Sequence, residues 1–148
     1  MEVGTTKSIE DIQNDIIEEF SFLENDREST IFYIMELGQK LPDLADEHKV
    51  EQNIIKGCQS KVWLTADLEG DRVAYCADSN TDITKGLISL LIRIFSNQKV
   101  DQIIDSDLFF IEKIGMGNII GSQRSNGLVA MIKQMKLYAL AYKAKLNN

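Results

Sequence analysis

The sequence predicts an α+β domain in which a three-stranded antiparallel sheet packs against N-terminal and C-terminal helices. Apolar residues recur with helical spacing before Pro42 and again after residue 82, whereas residues 62–77 alternate between apolar and polar, which is the period of a strand. Helices, then strands, then helices is the order of an α+β domain. A chain of 148 residues can bury a core without disulfides or metals, so we expect one domain over residues 1–148.

The first two predicted elements are amphipathic helices. Ser8 is placed to cap the first helix and Asp26 to open the second, which Pro42 ends. The apolar positions of the two faces are Ile9, Ile12, Ile16, Phe20 and Leu23, then Ile31, Ile34, Leu37 and Leu41.

The middle of the chain predicts the sheet. Residues 62–68 and 73–77 alternate as half-buried strands do, and Glu69-Gly70-Asp71 between them is typical of a hairpin loop. Residues 52–56 predict a third strand that leads into Cys58. These three segments, adjacent along the chain, favour an antiparallel sheet.

The rest of the chain predicts helices. Residues 82–95 form a strongly apolar helix that should lie against the sheet, and a short helix follows at residues 100–104. A glycine-spaced segment, IGMGNIIGSQRSNG, comes next, and a last helix is predicted from about residue 125 to residue 146. The residues expected to face inward on that helix are Leu128, Met131, Ile132, Met135, Tyr138 and Tyr142.

Charge and composition exclude several classes of function. The formal net charge of −7 argues against nucleic acid as a partner, because binding phosphates needs a basic face. No apolar run approaches the roughly 20 residues that span a bilayer, so no membrane partner is expected. The start of the sequence has no apolar segment of a signal peptide, and two cysteines fit a reducing cytoplasm.

Cys58 stands at a break between apolar segments, in IIKGCQSKVWL. Gly57 permits a turn, while Gln59 and Ser60 are polar enough to face water, and loops on a rigid scaffold often carry reactive groups. Lys56 and Lys61 flank the cysteine and would favour its thiolate. The residues alone leave the commoner alternative open, that Cys58 is a small buried hydrophobe.

Cys76 lies inside a predicted strand, RVAYCAD, on the face opposite Val73, Tyr75 and Ala77. That face is either partly exposed or covered by a helix. For a cysteine in the interior of a strand we favour a structural role.

The stretch GCQSKVWL resembles the signature of the SufE family, the sulfur-accepting partners of cysteine desulfurases. Further motifs similar to the family's follow in its order: YIMELGQKLPDL, NIIKG, ADSNTDITKGLISLLIRIFSNQ and SQRSNGLVAMIKQMKLYA. The resemblance covers residues 31–141 and implies a SufE-like fold, which is similar to that of the IscU-type scaffold. Phe32-Tyr33 and Gln123-Arg124 depart from the Arg-Tyr and Ser-Arg pairs of many members.

The resemblance implies a function for Cys58. It would take persulfide sulfur from a cysteine desulfurase, SufS-like or CsdA-like, relay it to an iron–sulfur scaffold complex, and stimulate the desulfurase. The protein would then be a sulfur-transfer protein with no cofactor of its own, rather than an enzyme.

Residues matching other family motifs are candidates for holding the cysteine loop or contacting the partner. These candidates are Gly57, Gln59, Ser60, Asp78 and Arg124. Asp78, with Ser79, matches the family's Asp-Ser turn, and a turn or helix-capping role is the alternative for it. For Arg124 the alternative is a surface ion pair.

Three other functions use the same residues. A metal or iron–sulfur scaffold would need Cys58, Cys76 and the single histidine, His48, around one point. A thiol peroxidase would pair Cys58 with Cys76 as the resolving cysteine. A cysteine hydrolase would need His48 as a base beside Cys58, and no spacing ties these two residues together.

Overall fold

The computed structural model describes residues 7–148 and confirms the α+β class. Seven helices and a three-stranded antiparallel sheet occur in this range. The helices are α1 Ile9–Ser21, α2 Arg27–Lys40, α3 Asp82–Phe95, α4 Val100–Asp105, α5 Phe110–Ile114, α6 Met116–Ile120 and α7 Ser122–Leu146. The strands are β1 Val62–Glu69, β2 Arg72–Ser79 and β3 Gln98–Lys99.

The sheet has the order β1-β2-β3, and its third strand is not the predicted one. Glu51–Asn53 is a 3₁₀ turn, and of the predicted strand at residues 52–56 Ile54 alone bridges to Trp63. The third strand follows α3 instead. Asn97 adopts a left-handed φ of 68° and donates its N–H to the Val73 carbonyl at 2.7 Å, which turns the chain back onto β2.

The predicted starts of the first two helices are confirmed. Ser8 Oγ accepts the N–H of Asp11 at 3.0 Å, and the Asp26 carboxylate accepts the N–H of Ser29 at 2.9 Å. The helix at residues 82–95 has the predicted bounds.

The C-terminal part is more helical than expected. Two five-residue helices, α5 at the entry to the glycine-spaced segment and α6 within it, meet at Gly115, whose φ is 78°. The last helix begins at Ser122, three residues earlier than predicted. Of the described helices, none combines the length and apolar character that a bilayer crossing demands.

The core lies between one face of the sheet and the helices α3 and α7. The inward-facing residues at the start of β1 and along β2 are buried, namely Val62, Leu64, Val73, Tyr75 and Ala77. The Tyr75 hydroxyl donates to the Met135 carbonyl of α7 at 2.6 Å. Helix α2 crosses α3 closely at Gly38 and Gly86. This packing places the N-terminal ends of α3 and α7 beside the segment that precedes β1.

Candidate functional site

Cys58 lies in the turn between the Ile54 bridge and β1. Gly57 has a φ of 102°, a conformation that favours glycine, and a Cβ atom on it would also crowd the Ala130 Cβ at 3.1 Å. Cys58 is half-buried, and its thiol lies 3.6 Å from the Gly127 carbonyl of α7, a long and weak hydrogen bond. The turn thus presses the thiol against α7.

A cavity of about 120 Å³ adjoins the thiol, enclosed by the cysteine turn and by the first turns of α3 and α7. Its lining brings together four of the predicted residues, Cys58, Gln59, Ser60 and Arg124. The other residues of the wall are Thr81, Ile83, Thr84, Leu87, Gln123, Gly127 and Met131. The wall is therefore apolar at its base and polar at its mouth.

Ser60 ties the cysteine turn to the start of α3. Its hydroxyl is 2.9 Å from the Thr81 hydroxyl, and the Thr84 hydroxyl donates to it at 3.3 Å. Next along the chain, the Ser79 hydroxyl donates to the Lys61 carbonyl at 2.8 Å. The turn is thus held by neutral hydrogen bonds, each of which contributes about 0.5–1.5 kcal/mol net.

Burial raises the pKa of the Cys58 thiol. This direction is opposite to the expectation that Lys56 and Lys61 favour the thiolate. Both lysine side chains are exposed, whereas the sulfur faces the half-buried cavity, so loss of hydration outweighs them. In the resting structure the thiol is protonated at neutral pH.

Arg124 lies in the first turn of α7, and its guanidinium donates to the Ile120 carbonyl at 3.4 Å. The residue is exposed and lines a second cavity of about 330 Å³, which also includes Gln59 and Gln123. Arg124 forms no salt bridge with any residue from 7 to 148, so the surface ion pair considered for it is absent there.

Asp78 is buried near the end of β2 and lies outside the cavity lining. It accepts the N–H of Leu44 at 3.0 Å and pairs with Lys49 at 3.3 Å and Lys85 at 3.2 Å. It therefore fastens the segment after α2 to the sheet. Its connection with the cysteine turn is indirect, through the neighbouring Ser79.

Cys76 is exposed on the side of the sheet that faces away from α3 and α7, so the structural role favoured for it has no support from burial. Cys58 lies on the helical side, so a Cys58–Cys76 disulfide requires a large rearrangement. His48 is exposed. Within residues 7–148, no three cysteine, histidine or carboxylate side chains are grouped so as to hold a metal ion.

Sequence reasoning missed several residues of the site. Thr81 and Thr84 hold Ser60, and Gly127 accepts the thiol, yet none was a candidate. Gly127 stands within a quoted family motif, which was an available signal. The two threonines also stand within a quoted motif, but nothing in the sequence indicated their contact with Ser60, which is more than 20 residues away.

Comparison with known proteins gives a consistent result. A family model described as "SufE: Fe-S metabolism associated domain" matches residues 14–139. An uncharacterized SufE-like protein of Rhizobium etli is 37% identical over 126 residues, which are 82% of this chain and 84% of that protein. A SufE-like protein of Rhizobium meliloti is 35% identical over 126 residues, with 82% and 89% covered.

A third SufE-like protein, from Synechocystis, is 35% identical over 105 residues, which are 71% of this chain and 66% of that protein. Among solved structures, a hypothetical protein from Thermus thermophilus, determined in solution, superposes with a TM-score of 0.71. That match covers 88% of this chain and 94% of the other at 19% identity, which supports the fold alone.

Proposed function

Because this chain belongs to the SufE family, whose domain is associated with Fe–S metabolism, we propose that it is a sulfur acceptor working through Cys58. The observation that carries the proposal is the position of this thiol. It sits on a glycine-dependent turn at the wall of a small cavity, held there by neutral hydrogen bonds. Residues 1–148 act in this proposal as a single domain.

The reaction is a thiol–disulfide-type exchange. The Cys58 thiolate attacks the outer sulfur of a persulfide on a cysteine desulfurase, and a bond forms between these two sulfurs. The original sulfur–sulfur bond breaks, and its electron pair leaves on the desulfurase cysteine as a thiolate. One sulfur atom changes carrier without net oxidation, and clearing the persulfide lets the desulfurase turn over again.

The cavity suits storage of the transferred sulfur. A cavity of about 10–15 Å³ already holds a water molecule, so a cavity of about 120 Å³ has room for the added sulfur atom. Ile83, Leu87 and Met131 give it an apolar base. Shielding there would slow oxidation of the persulfide, which exposed thiolate-like sulfur undergoes readily.

Transfer requires the turn to open. The resting thiol is half-buried with a raised pKa, so it is neither accessible nor ionised enough for attack. The bonds that retain the turn are few and neutral, so opening costs about a few kcal/mol, which docking can supply. In water the pKa returns towards its ordinary value, and exposure therefore also activates the nucleophile.

The proposed donor is a desulfurase of the SufS-like or CsdA-like kind, and the proposed recipient is an iron–sulfur scaffold complex. The chain itself is a carrier and an activator rather than an enzyme. The exchange needs a reduced thiol, so the reducing cytoplasm is the proposed compartment.

Intact-protein mass spectrometry tests the sulfur-acceptor role. The parent protein, Cys58→Ser and Cys76→Ser are each incubated with a cysteine desulfurase and free cysteine. We expect the parent and Cys76→Ser to gain the mass of one sulfur atom, which reduction removes, and Cys58→Ser to gain nothing. Sulfur gained equally by Cys58→Ser, or by none of the three beside an active cognate desulfurase, would contradict the proposal.

A further inference from the structure

The surroundings of Cys58 differ in charge from the rest of the molecule. The chain carries 23 Asp and Glu against 16 Lys and Arg. Nevertheless, among the described residues no carboxylate lines either of the two cavities that adjoin the cysteine turn, and Arg124 is the charged residue common to both. The nearest acid in sequence to these linings is Asp82, which is exposed in the first turn of α3.

Two lysines add positive charge at the same place. Lys56 and Lys61 are two and three residues from Cys58, so their Cα atoms lie within about 11 Å of its Cα. Both are exposed. Like Arg124, neither forms a salt bridge within the part of the chain that the structure describes, whereas Lys49 and Lys85 are neutralised by Asp78.

We propose that Lys56, Lys61 and Arg124 form a cationic rim around Cys58 that docks an acidic surface of the protein presenting the persulfide. This inference rests on the sulfur-acceptor function and specifies the chemistry of its donor. The partner surface is rich in Asp and Glu, and docking on the rim places it next to the Cys58 thiol.

Electrostatics explains why such a rim is useful here. A chain with a formal net charge of −7 repels an acidic partner at long range, and a local positive surface offsets that repulsion at the point of contact. The attacking thiolate and an ionised persulfide also repel each other, which nearby cations reduce. The rim residues are exposed, so salt screens their effect over a Debye length of about 8–10 Å.

Two aromatic disulfides that differ in charge test the rim without any partner. Dithionitrobenzoate carries two carboxylates and dithiodipyridine is neutral. With each, the Cys58 thiolate forms a mixed disulfide and expels one aromatic thiolate, which is followed by absorbance. Cys76→Ser is the parent protein for this assay, so that Cys58 alone reacts. Both reagents require the same opening of the turn and the same ionisation of the thiol. These two contributions to the rates therefore cancel in the ratio of the two rate constants.

We expect Lys56→Gln/Lys61→Gln to lower the ratio of anionic to neutral rate constants by about three- to tenfold, at the low end of what charge-lined clefts produce. Arg124→Gln should change it in the same direction. Added salt should lower the ratio in the parent and have less effect on the double variant. Lys113→Gln/Lys145→Gln removes the same charge from exposed lysines outside both linings and should leave the ratio unchanged. Equal ratios in the rim and control variants would overturn the inference.

The second measurement uses the desulfurase. With the donor below saturation, the rim variant should accept sulfur several-fold more slowly than the control variant, and a saturating donor should restore the rate. If the disulfide ratio falls but sulfur transfer is unaffected, the donor surface is not acidic and the docking assignment is wrong, while the acceptor function stands. If the parent accepts no sulfur, the acceptor function fails and the docking assignment fails with it.

Discussion

At the scale of single residues, Asp78 is a buried carboxylate that the fold keeps ionised. Burial opposes ionisation, but hydrogen bonds from the N–H groups of Leu44 and Ser79 and from the ammonium groups of Lys85 and Lys49 outweigh it and lower the pKa of Asp78. A buried charge with this many donors is a structural anchor. It joins the segment after α2 to the sheet close to the cysteine turn.

Asp78→Asn should lower the free energy of unfolding by about 2–3 kcal/mol, because it leaves Lys49 and Lys85 facing a neutral group in a partly buried site. Urea denaturation at neutral pH measures this loss. The control is Asp67→Asn, an exposed aspartate on the neighbouring strand, which should change stability by less than about 0.5 kcal/mol.

The same substitution has a pH signature. The folded-state pKa of Asp78 lies below the ordinary value of 3.8, so its stabilisation is fully present above that pH and is lost as the pH falls through the folded-state pKa. The difference between parent and Asp78→Asn should therefore shrink as the solution is acidified below about pH 4. A difference that is constant with pH would show that the contribution is steric.

At the scale of elements, α2 and α3 cross where two glycines remove the side chains between them. A Cβ atom on Gly38 would lie 2.5 Å from the Asp82 carbonyl oxygen, and one on Gly86 would overlap the Ile34 carbonyl oxygen. Both contacts involve backbone, which yields less easily than a side chain. The glycines of the quoted motifs YIMELGQKLPDL and ADSNTDITKGLISLLIRIFSNQ thus have a packing function, and the crossing sets where α3 begins beside Cys58.

Gly86→Ala should lower the free energy of unfolding by at least about 1–3 kcal/mol, since the added methyl forces the two helices apart. Gly117→Ala is a matched control. It lies in a helix where a Cβ atom would be 3.7 Å from the Ser125 hydroxyl, an ordinary contact, so alanine should be neutral or stabilise by up to about 1 kcal/mol. Equal urea midpoints for the two variants would contradict the close crossing.

Helices and strands with a sustained apolar period were predictable from the sequence, and short elements were not. The helices α1, α2 and α3 have clear apolar spacing, and α1 and α2 also have cap residues. The β1–β2 hairpin has an alternating pattern on either side of its turn residues. Strand β3 has two residues, which carry no period, and α5 and α6 are five-residue helices interrupted by glycine. Their geometry comes from tertiary contacts rather than local pattern.

The candidate site, too, has features that the sequence predicts and features that it does not. Cys58, Gln59, Ser60 and Arg124 belong to family motifs, and the structure places them around one cavity. The direction of the Cys58 pKa could not be predicted, because it depends on burial by α7, a distant part of the chain. Neighbours in sequence indicated the opposite direction.

At the scale of the whole molecule, one hydrophobic core joins both ends of the described chain. Its buried residues run from Ile9 to Ala139. The Gln13 side chain of α1 reinforces this closure: its amide donates to the Asp107 carbonyl at 3.1 Å, and its oxygen accepts the N–H of Phe110 at 3.1 Å. Gln13 is 1% exposed and Phe110 is fully buried, so the Phe110 N–H has no water to replace the Gln13 oxygen.

We therefore expect residues 1–148 to unfold as one cooperative unit, although α1 and β1 are far apart in sequence. Gln13→Ala leaves the buried Phe110 N–H unpaired and should lower the free energy of unfolding by about 1–3 kcal/mol. Helical circular dichroism and the fluorescence of Trp63, the single tryptophan, report on different parts of the fold. In a single domain the substitution must shift both urea transitions by the same amount.

The neighbouring Asn14→Ala, on the exposed side of α1, should shift neither. If Gln13→Ala moved the helical transition and left that of Trp63 in place, the N-terminal helices would be a separate folding unit, and Cys58 would sit on a smaller domain than the one proposed.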